Sequence, residues 1–553
     1  MLLRVIPVVA LAIVSVAGGP ANPRDAPVFP PAYAASGYIL LPYCELREPF
    51  TAYYDKTAGK SRIDYYGGEM KTFQIAGETG GSYKVVWSPN NETHVPEQNC
   101  YAAGPAAPQG ILPDLSDFKF VRTESCFTDT STLLNTLLSN AAKCYRYENT
   151  VQKYDRVSKY VFWANQDGDN NVIPVRYMMM GYDSLLGSHF DKYEVIYDDY
   201  TPGPVDGDVF DVTSVIDKPC TDFPSPPGQS VSHLFNPMKE FVHHDDSHVD
   251  EHFSNFKNEH GKSYEHPTEE RERRHNFHHN MRFVNSMNRR NLSFALKLNN
   301  RADWNQGEFK LLRGRLQSTN VKSSAEDFPK EKFEHRTVPD YVDWRLEGAV
   351  TPVKDQAICG SCWSFGTVGH IEGQYFLKHG ELVRFAEQQL VDCSWTSGND
   401  ACDGGLDYVA YDYIKKYGLS SDAQYGPYRG IDGKCKDVEI ENKPITTIQR
   451  YYNISGVENL RKAIAFVGPI SVAIDASRPS LSFYAHGVYE DPDCSSTELD
   501  HAVLAVGYGV LHGKPYWLIK NSWSTYWGND GYILISQKDN MCGVASTPTY
   551  VEL

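Results

Sequence analysis

The sequence predicts a multidomain chain in which a mainly antiparallel β domain is followed by a helical segment and then a cysteine-bearing C-terminal domain. Three observations predict it. A length of 553 residues suits two to four domains at about 150 residues each. Short runs that alternate apolar and polar residues, dominated by aromatic and β-branched side chains, fill positions 27–215, whereas apolar residues recur at helical spacing beyond a Pro/Gly-rich stretch. Cysteines cluster at the two ends, with none between Cys220 and Cys359. A composition of 41% hydrophobic and 22% charged residues is ordinary for globular domains. The net charge of −17 argues against nucleic acid as a partner, because phosphate binding needs clustered Lys and Arg.

Residues 1–18 combine Arg4, an apolar run from Val5 to Val16, and the small residues Ala17 and Gly18. That layout predicts a secretory signal peptide, too short to span a bilayer. No later run reaches about 18 uninterrupted apolar residues, so no transmembrane segment is expected. A secretory route permits disulfides. It also makes Asn91, Asn291 and Asn453 candidate glycosylation sites, each opening an Asn-x-Ser/Thr triplet.

In the β domain, Tyr83 to Trp87, Lys159 to Trp163 and Lys192 to Tyr197 read as strands, with Tyr66-Gly67-Gly68 and Asp167-Gly168-Asp169 as turns. Leu133–Ala142 reads as its one helix. The domain shows no recognisable chemistry, so a binding or chaperoning role competes with a scaffold role. The five cysteines of the first 230 residues leave an odd one, either free or bridging to another chain. Residues 216–235 read as a semi-extended linker. Val249, Phe253 and Phe256, then Phe277, Met281 and Val284, predict two amphipathic helices within 236–337.

The stretch Gln356 to Phe365 organises the rest. A Gly-Ser pair leads into Cys362 and a helix-compatible run, which would set the sulfur at a helix N-terminus, where the dipole favours a thiolate. Gln356-Ala357-Ile358-Cys359-Gly360-Ser361-Cys362-Trp363 is similar to the signature around the nucleophile of papain and cathepsin cysteine proteases. Glu269, Arg273, Phe277, Asn280, Val284 and Asn288 resemble the propeptide signature of the cathepsin L-like branch; Lys297 and Arg301 depart from its second motif. Val338 to Arg345 resembles the mature N-terminus, which places the protease domain at 338–553. Leu499-Asp500-His501 and Asn521-Ser522-Trp523 follow at separations close to the roughly 130–150 residues expected of such enzymes.

The resemblance implies a two-lobed α+β papain-like protease, made as a zymogen whose helical propeptide is its own inhibitor. It implies a Cys362–His501 pair, Asn521 fixing the His501 tautomer, Trp523 shielding that bond, and Gln356 with the Cys362 N–H holding an oxyanion. It implies disulfides Cys359–Cys402, Cys393–Cys435 and Cys494–Cys542. Gly404 and Gly405 would pair with substrate backbone. Leu406, Asp407, Ala473, Leu499, Ala502 and Thr547 would line the pocket for the residue two before the cut. Its small apolar walls imply a hydrophobic or aromatic preference, and Asp407 and Thr547 imply a secondary tolerance for basic side chains. No metal or cofactor is required; the partners are protein or peptide substrates.

The layout also resembles the insect two-chain haemocyte cysteine proteinases, which implies an accessory domain retained non-covalently or by disulfide, and a lysosomal, granule or extracellular location. The alternative is a binding or signalling protein that acts through the β domain. Ten of the 18 His lie between His233 and His279. Their protonation on acidification is expected to loosen neutral-pH contacts and trigger activation; a solvated polar face and a metal site at His243, His244 and His248 are the competing readings.

Overall fold

The computed structural model describes residues 25–78, 80–89, 96–126, 143–167, 171–224, 231–317, 322–436 and 444–553. The expected signal peptide, the Leu133–Ala142 helix, most of the Asp167–Asp169 turn and the Asn91 site lie outside them. The chain forms two compact units, Met1–Ser88 with Glu97–His248, and Pro89–Pro96 with Val249–Leu553.

The first unit is built on a twelve-stranded sheet. Ala32–Leu41 sits in its middle, paired antiparallel with Leu46–Asp55 on one side and Ser188–Pro202 on the other. From each neighbour a meander of sequential antiparallel strands runs outward. Ala32–Leu41 alternates buried and half-buried along its whole length, so its period-two pattern puts every second side chain into the core. The core is rich in tyrosine, and three of its hydroxyls bond backbone groups. Tyr197 donates to the Ile111 carbonyl at 2.8 Å, the Tyr33 hydroxyl accepts from the Ile111 N–H at 3.0 Å, and Tyr193 donates to the Phe241 carbonyl at 2.9 Å. Disulfides Cys100–Cys220 and Cys126–Cys144 staple this unit, and Cys44 lies outside both.

The last part of the first unit is a strap. Helices Ser232–Phe235 and Met238–His243 bury Met238, Phe241 and Val242 in the tyrosine-rich core. Residues 216–235, read as linker, include the short strand Thr221–Asp222, which pairs with Pro96–Ala103, and the first strap helix.

In the second unit, helices Ser247–His260 and Pro267–Met287 pack through Phe253, Phe256 and Phe277. The residues of the Glu269–Asn288 pattern each hold a neighbour. Arg273 forks onto both Glu308 oxygens at 2.7 and 2.8 Å, Asn280 donates to the Ala302 and Trp304 carbonyls, and Asn288 exchanges two hydrogen bonds with Leu296. Downstream, the long helix Cys362–His379 packs with Glu387–Cys393 and Asp407–Tyr417 into a helical lobe. The other lobe is a sheet through Ile470–Ile474, His501–Leu511, Lys514–Lys520 and Tyr532–Ser536. The segment before residue 338 covers both edges of that sheet. Phe294–Leu296 adds antiparallel to Tyr484–Tyr489, and Glu326–Asp327 adds parallel to Arg450–Asn453. The fold is thus the expected one: a strand-rich N-terminal unit and an α+β C-terminal unit preceded by helices.

Candidate active site

Cys362 opens the helix Cys362–His379, with Ser361 before it. Disulfide Cys359–Cys402 and the Gly360 N–H donating to the Cys402 carbonyl at 2.9 Å hold the turn. Cys393–Cys435 and Cys494–Cys542 are the other two disulfides of the unit, and Cys362 is a free thiol. His501 begins the strand His501–Leu511, whose next residue, Ala502, offers its N–H to the Cys362 sulfur. Asn521 follows the adjacent strand Lys514–Lys520, and its Oδ1 lies 2.8 Å from His501 Nε2. The Trp523 ring covers this contact at 4.8 Å from the imidazole centroid. Gln356 is wholly buried; its Oε1 accepts from the Ser522 hydroxyl at 2.7 Å, so its Nε2 side is turned to donate. Sequence reasoning missed Ser522. A hydroxyl beside Asn521 carries no signal until the two loops meet.

The cleft is filled by the chain's own residues Leu312–Leu316. Gln356 Nε2 donates to the Leu312 carbonyl at 3.0 Å and to the Cys359 carbonyl at 2.8 Å. The Gly405 N–H donates to the Gly314 carbonyl at 2.9 Å, and the Leu316 N–H donates to the Gly405 carbonyl at 3.2 Å. Gly314 is required here because a Cβ would lie 1.7 Å from the Gly360 carbonyl oxygen. Gly405 is equally constrained, since a Cβ would meet the Trp363 ring at 2.7 Å. Arg313 pairs with Asp500 at 3.1 Å, and Arg315 donates to the Leu499 carbonyl and the Thr547 hydroxyl, each at 3.2 Å. Arg301 anchors the plug upstream by donating to the Trp523 carbonyl at 2.8 Å and pairing with Asp355 at 2.9 Å. The sequence flagged Arg301 only as a departure from a motif.

This covering sets the electrostatics. Burial pushes the Cys362 thiol up to about 11, against the opposing pull of the Ala502 and Gly314 N–H groups. Burial also pushes the His501 imidazole down to about 4, although Asn521 favours its charged form. His501 Nδ1 makes no hydrogen bond of ordinary geometry, while the Leu312 carbonyl lies close enough to favour the protonated ring. Both shifts point the same way: with the plug in place, burial favours the neutral thiol and the neutral imidazole.

The other predicted residues fall around this cleft. Leu406, Ala473, Leu499 and Ala502 are buried, and Ala473 pairs with Ala502 across neighbouring strands. Asp407 departs from an apolar wall, its carboxylate accepting from the Thr549 hydroxyl at 2.6 Å and the Ser471 hydroxyl at 3.4 Å. Thr547 is exposed. Asn291 and Asn453 are exposed as well. Among the described residues, no three His, Cys, Asp or Glu side chains converge as metal ligands, and no helix is long and apolar enough to cross a membrane.

The profile described as Papain family cysteine protease matches residues 338–552, and that of the Cathepsin propeptide inhibitor domain (I29) matches residues 253–309. The chain is 43% identical over 307 residues to Digestive cysteine proteinase 2 of Homarus americanus, covering 54% of this chain and 93% of that one. It is 42% identical over 318 residues to Cathepsin L1 of Drosophila melanogaster, covering 55% and 85%. Among solved structures it is similar to digestive procathepsin L 3 from the larval midgut of Tenebrio molitor, with a TM-score of 0.50, 36% identity, and coverage of 55% of this chain and 99% of the other.

Proposed function

The chain belongs to the papain family of cysteine proteases, as a cathepsin L-like zymogen with its inhibitory propeptide, and from that premise we propose an endopeptidase in which Cys362 is the nucleophile and His501 its acid–base partner. The carrying observation is the hydrogen bond from Gln356 Nε2 to the Leu312 carbonyl. The propeptide puts a peptide carbonyl where a substrate carbonyl would develop charge.

Once the plug leaves, water returns to the cleft and the cost of charging the pair falls. The Cys362 thiolate, held by the imidazolium and the helix N-terminus, attacks the scissile carbonyl carbon. The tetrahedral oxyanion takes hydrogen bonds from Gln356 Nε2 and the Cys362 N–H, each such donor worth about 2.7–4 kcal/mol in related chemistry. His501 gives its proton to the leaving amine, and the thioester is then hydrolysed by water that His501 deprotonates. Asn521 keeps the ring turned so that Nδ1 serves the sulfur. Gly404 and Gly405 carry the substrate backbone, and Leu406, Asp407, Ala473, Leu499, Ala502 and Thr547 form the pocket for the residue two before the cut. Hydrophobic and aromatic side chains suit its walls. The propeptide meets Leu312 first and the pocket last, opposite in direction to a substrate bound for cleavage, which explains how it fills the cleft uncut.

The first unit closes its own core and carries its own disulfides up to His248. That supports an accessory chain retained after the propeptide is removed, in an enzyme of the secretory route that works in lysosomes, granules or outside the cell. The complete cleft favours the protease over a purely binding role for the chain. The test is to acidify the purified zymogen to about pH 5 and follow fragments by mass spectrometry while assaying a Phe-Arg peptide. Cleavage that appears with processing near Val338 and is absent in Cys362→Ala is expected. Correctly processed protein that cuts nothing and takes up no covalent thiol inhibitor overturns the reading.

A further inference from the structure

Arg315 reaches two of the residues assigned above to the pocket for the residue two before the cut, Leu499 and Thr547. Its backbone N–H donates to the Asp500 carbonyl at 3.0 Å, and it follows directly on Gly314, which lies against the Gly360 turn beside the thiol. Arg315 is thus the residue next to the one beside the thiol, on the side of Leu499 and Thr547. There the guanidinium forks: Nη1 reaches the Leu499 carbonyl and Nη2 the Thr547 hydroxyl, each at 3.2 Å. The Leu499 carbonyl also accepts from Gln317 Nε2 at 3.2 Å, using its second lone pair.

We propose that the pocket for the residue two before the cut is built to take arginine, with Thr547 and the Leu499 carbonyl as the two acceptors that read it. The inference rests on the protease reading above and sharpens its substrate class. Apolar walls are no obstacle, because an arginine lays its three-carbon stem on apolar surface and keeps its charged head at a polar end. Thr547 is exposed, so the guanidinium retains water on its open side and the desolvation cost is low. The acceptors are two separate oxygens that match two different nitrogens of one planar group. A lysine offers a compact ammonium in place of a planar fork matched to two acceptors, so the pocket ranks arginine above lysine.

The experiment uses the processed enzyme, with its active sites titrated by a covalent thiol inhibitor. Peptides share Arg before the cut and carry Arg, Lys, Leu or Phe one position earlier. The expected kcat/KM for the Arg peptide lies within about 10-fold of the Phe peptide and about 10-fold above the Lys peptide, the worth of one hydrogen bond to a charged group. Thr547→Ala lowers the Arg-to-Phe ratio about 10-fold, and Thr547→Ser restores it. An Arg peptide cut more than about 100-fold slower than Phe by fully titrated enzyme overturns the proposal and leaves the protease standing. So does a ratio that Thr547→Ala does not move. Enzyme that titrates with no inhibitor and cuts none of the four peptides overturns the protease reading instead.

Discussion

Gln356 is held from both ends, by the Ser522 hydroxyl on its oxygen and by the Leu312 and Cys359 carbonyls on its nitrogen. The Ser522 hydroxyl and the Cys359 carbonyl still hold it once the plug and its Leu312 carbonyl have left, so the side chain is fixed before any substrate arrives, which is what an oxyanion donor requires. Gln356→Ala is expected to lower kcat of the processed enzyme about 100- to 1,000-fold with KM little changed, read by steady-state kinetics on titrated sites. Arg301 acts on inhibition instead. Removing its guanidinium leaves the buried Trp523 carbonyl without that donor and breaks the pair with Asp355, hydrogen bonds of about 1.5–3 kcal/mol each when charged groups are involved. Asp355 is 41% exposed, so solvent recovers part of that loss. Arg301→Ala zymogen is expected to process at least about 10-fold faster at pH 5; equal processing rates of variant and parent would show that the anchor carries no inhibition.

At the scale of elements, the strap Met238–His243 ends on His244, a non-glycine residue in the left-handed region at φ 55°. His244 stacks on Tyr160 at 4.1 Å, and its Nε2 lies 2.6 Å from the Tyr177 hydroxyl. Burial pushes His244 down to about 4, with His243 lowering it further and Asp246 opposing. His243 is lowered too, by burial and Lys239, against Asp114 and Asp245. Because the folded strap prefers both imidazoles neutral, a released strap binds more protons as soon as pH drops below the usual 6.5. Their stabilising effect is therefore whole above pH 6.5 and is lost progressively toward pH 4. The two shifts thus favour a strap that loses stability in acid. His244→Gln is expected to flatten the pH dependence of hydrogen exchange at Phe241 and Val242 between pH 6.5 and 4; an unchanged profile would place the acid response elsewhere.

At the scale of the whole molecule, the first unit owes its closure to a segment that sequence reading assigns to a linker and the start of the propeptide. Met238, Phe241 and Val242 are nearly fully buried in its core, worth about 1.5–3 kcal/mol apiece. A fragment ending at His248 is expected to unfold as one cooperative transition, whereas one ending at residue 230 melts at least about 10 °C lower or fails to fold, read by calorimetry with disulfides intact. The sequence by itself determined the protease family: Cys362, His501, Asn521 and Gln356 stand in local motifs, because a thiol at a helix start and an imidazole at a strand start need particular neighbours. It determined the strand-rich character of the first unit, since side chains alternate with the pleat. Tertiary structure alone decided where the strap ends up, that Leu312–Leu316 fills the cleft, that Ser522 braces Gln356, and that Arg301 reaches Trp523. Those partners are long-range, and most meet through backbone carbonyls that every residue carries alike. No periodicity or spacing marks them; only folding, which closes the distance, gives each side chain something to hold.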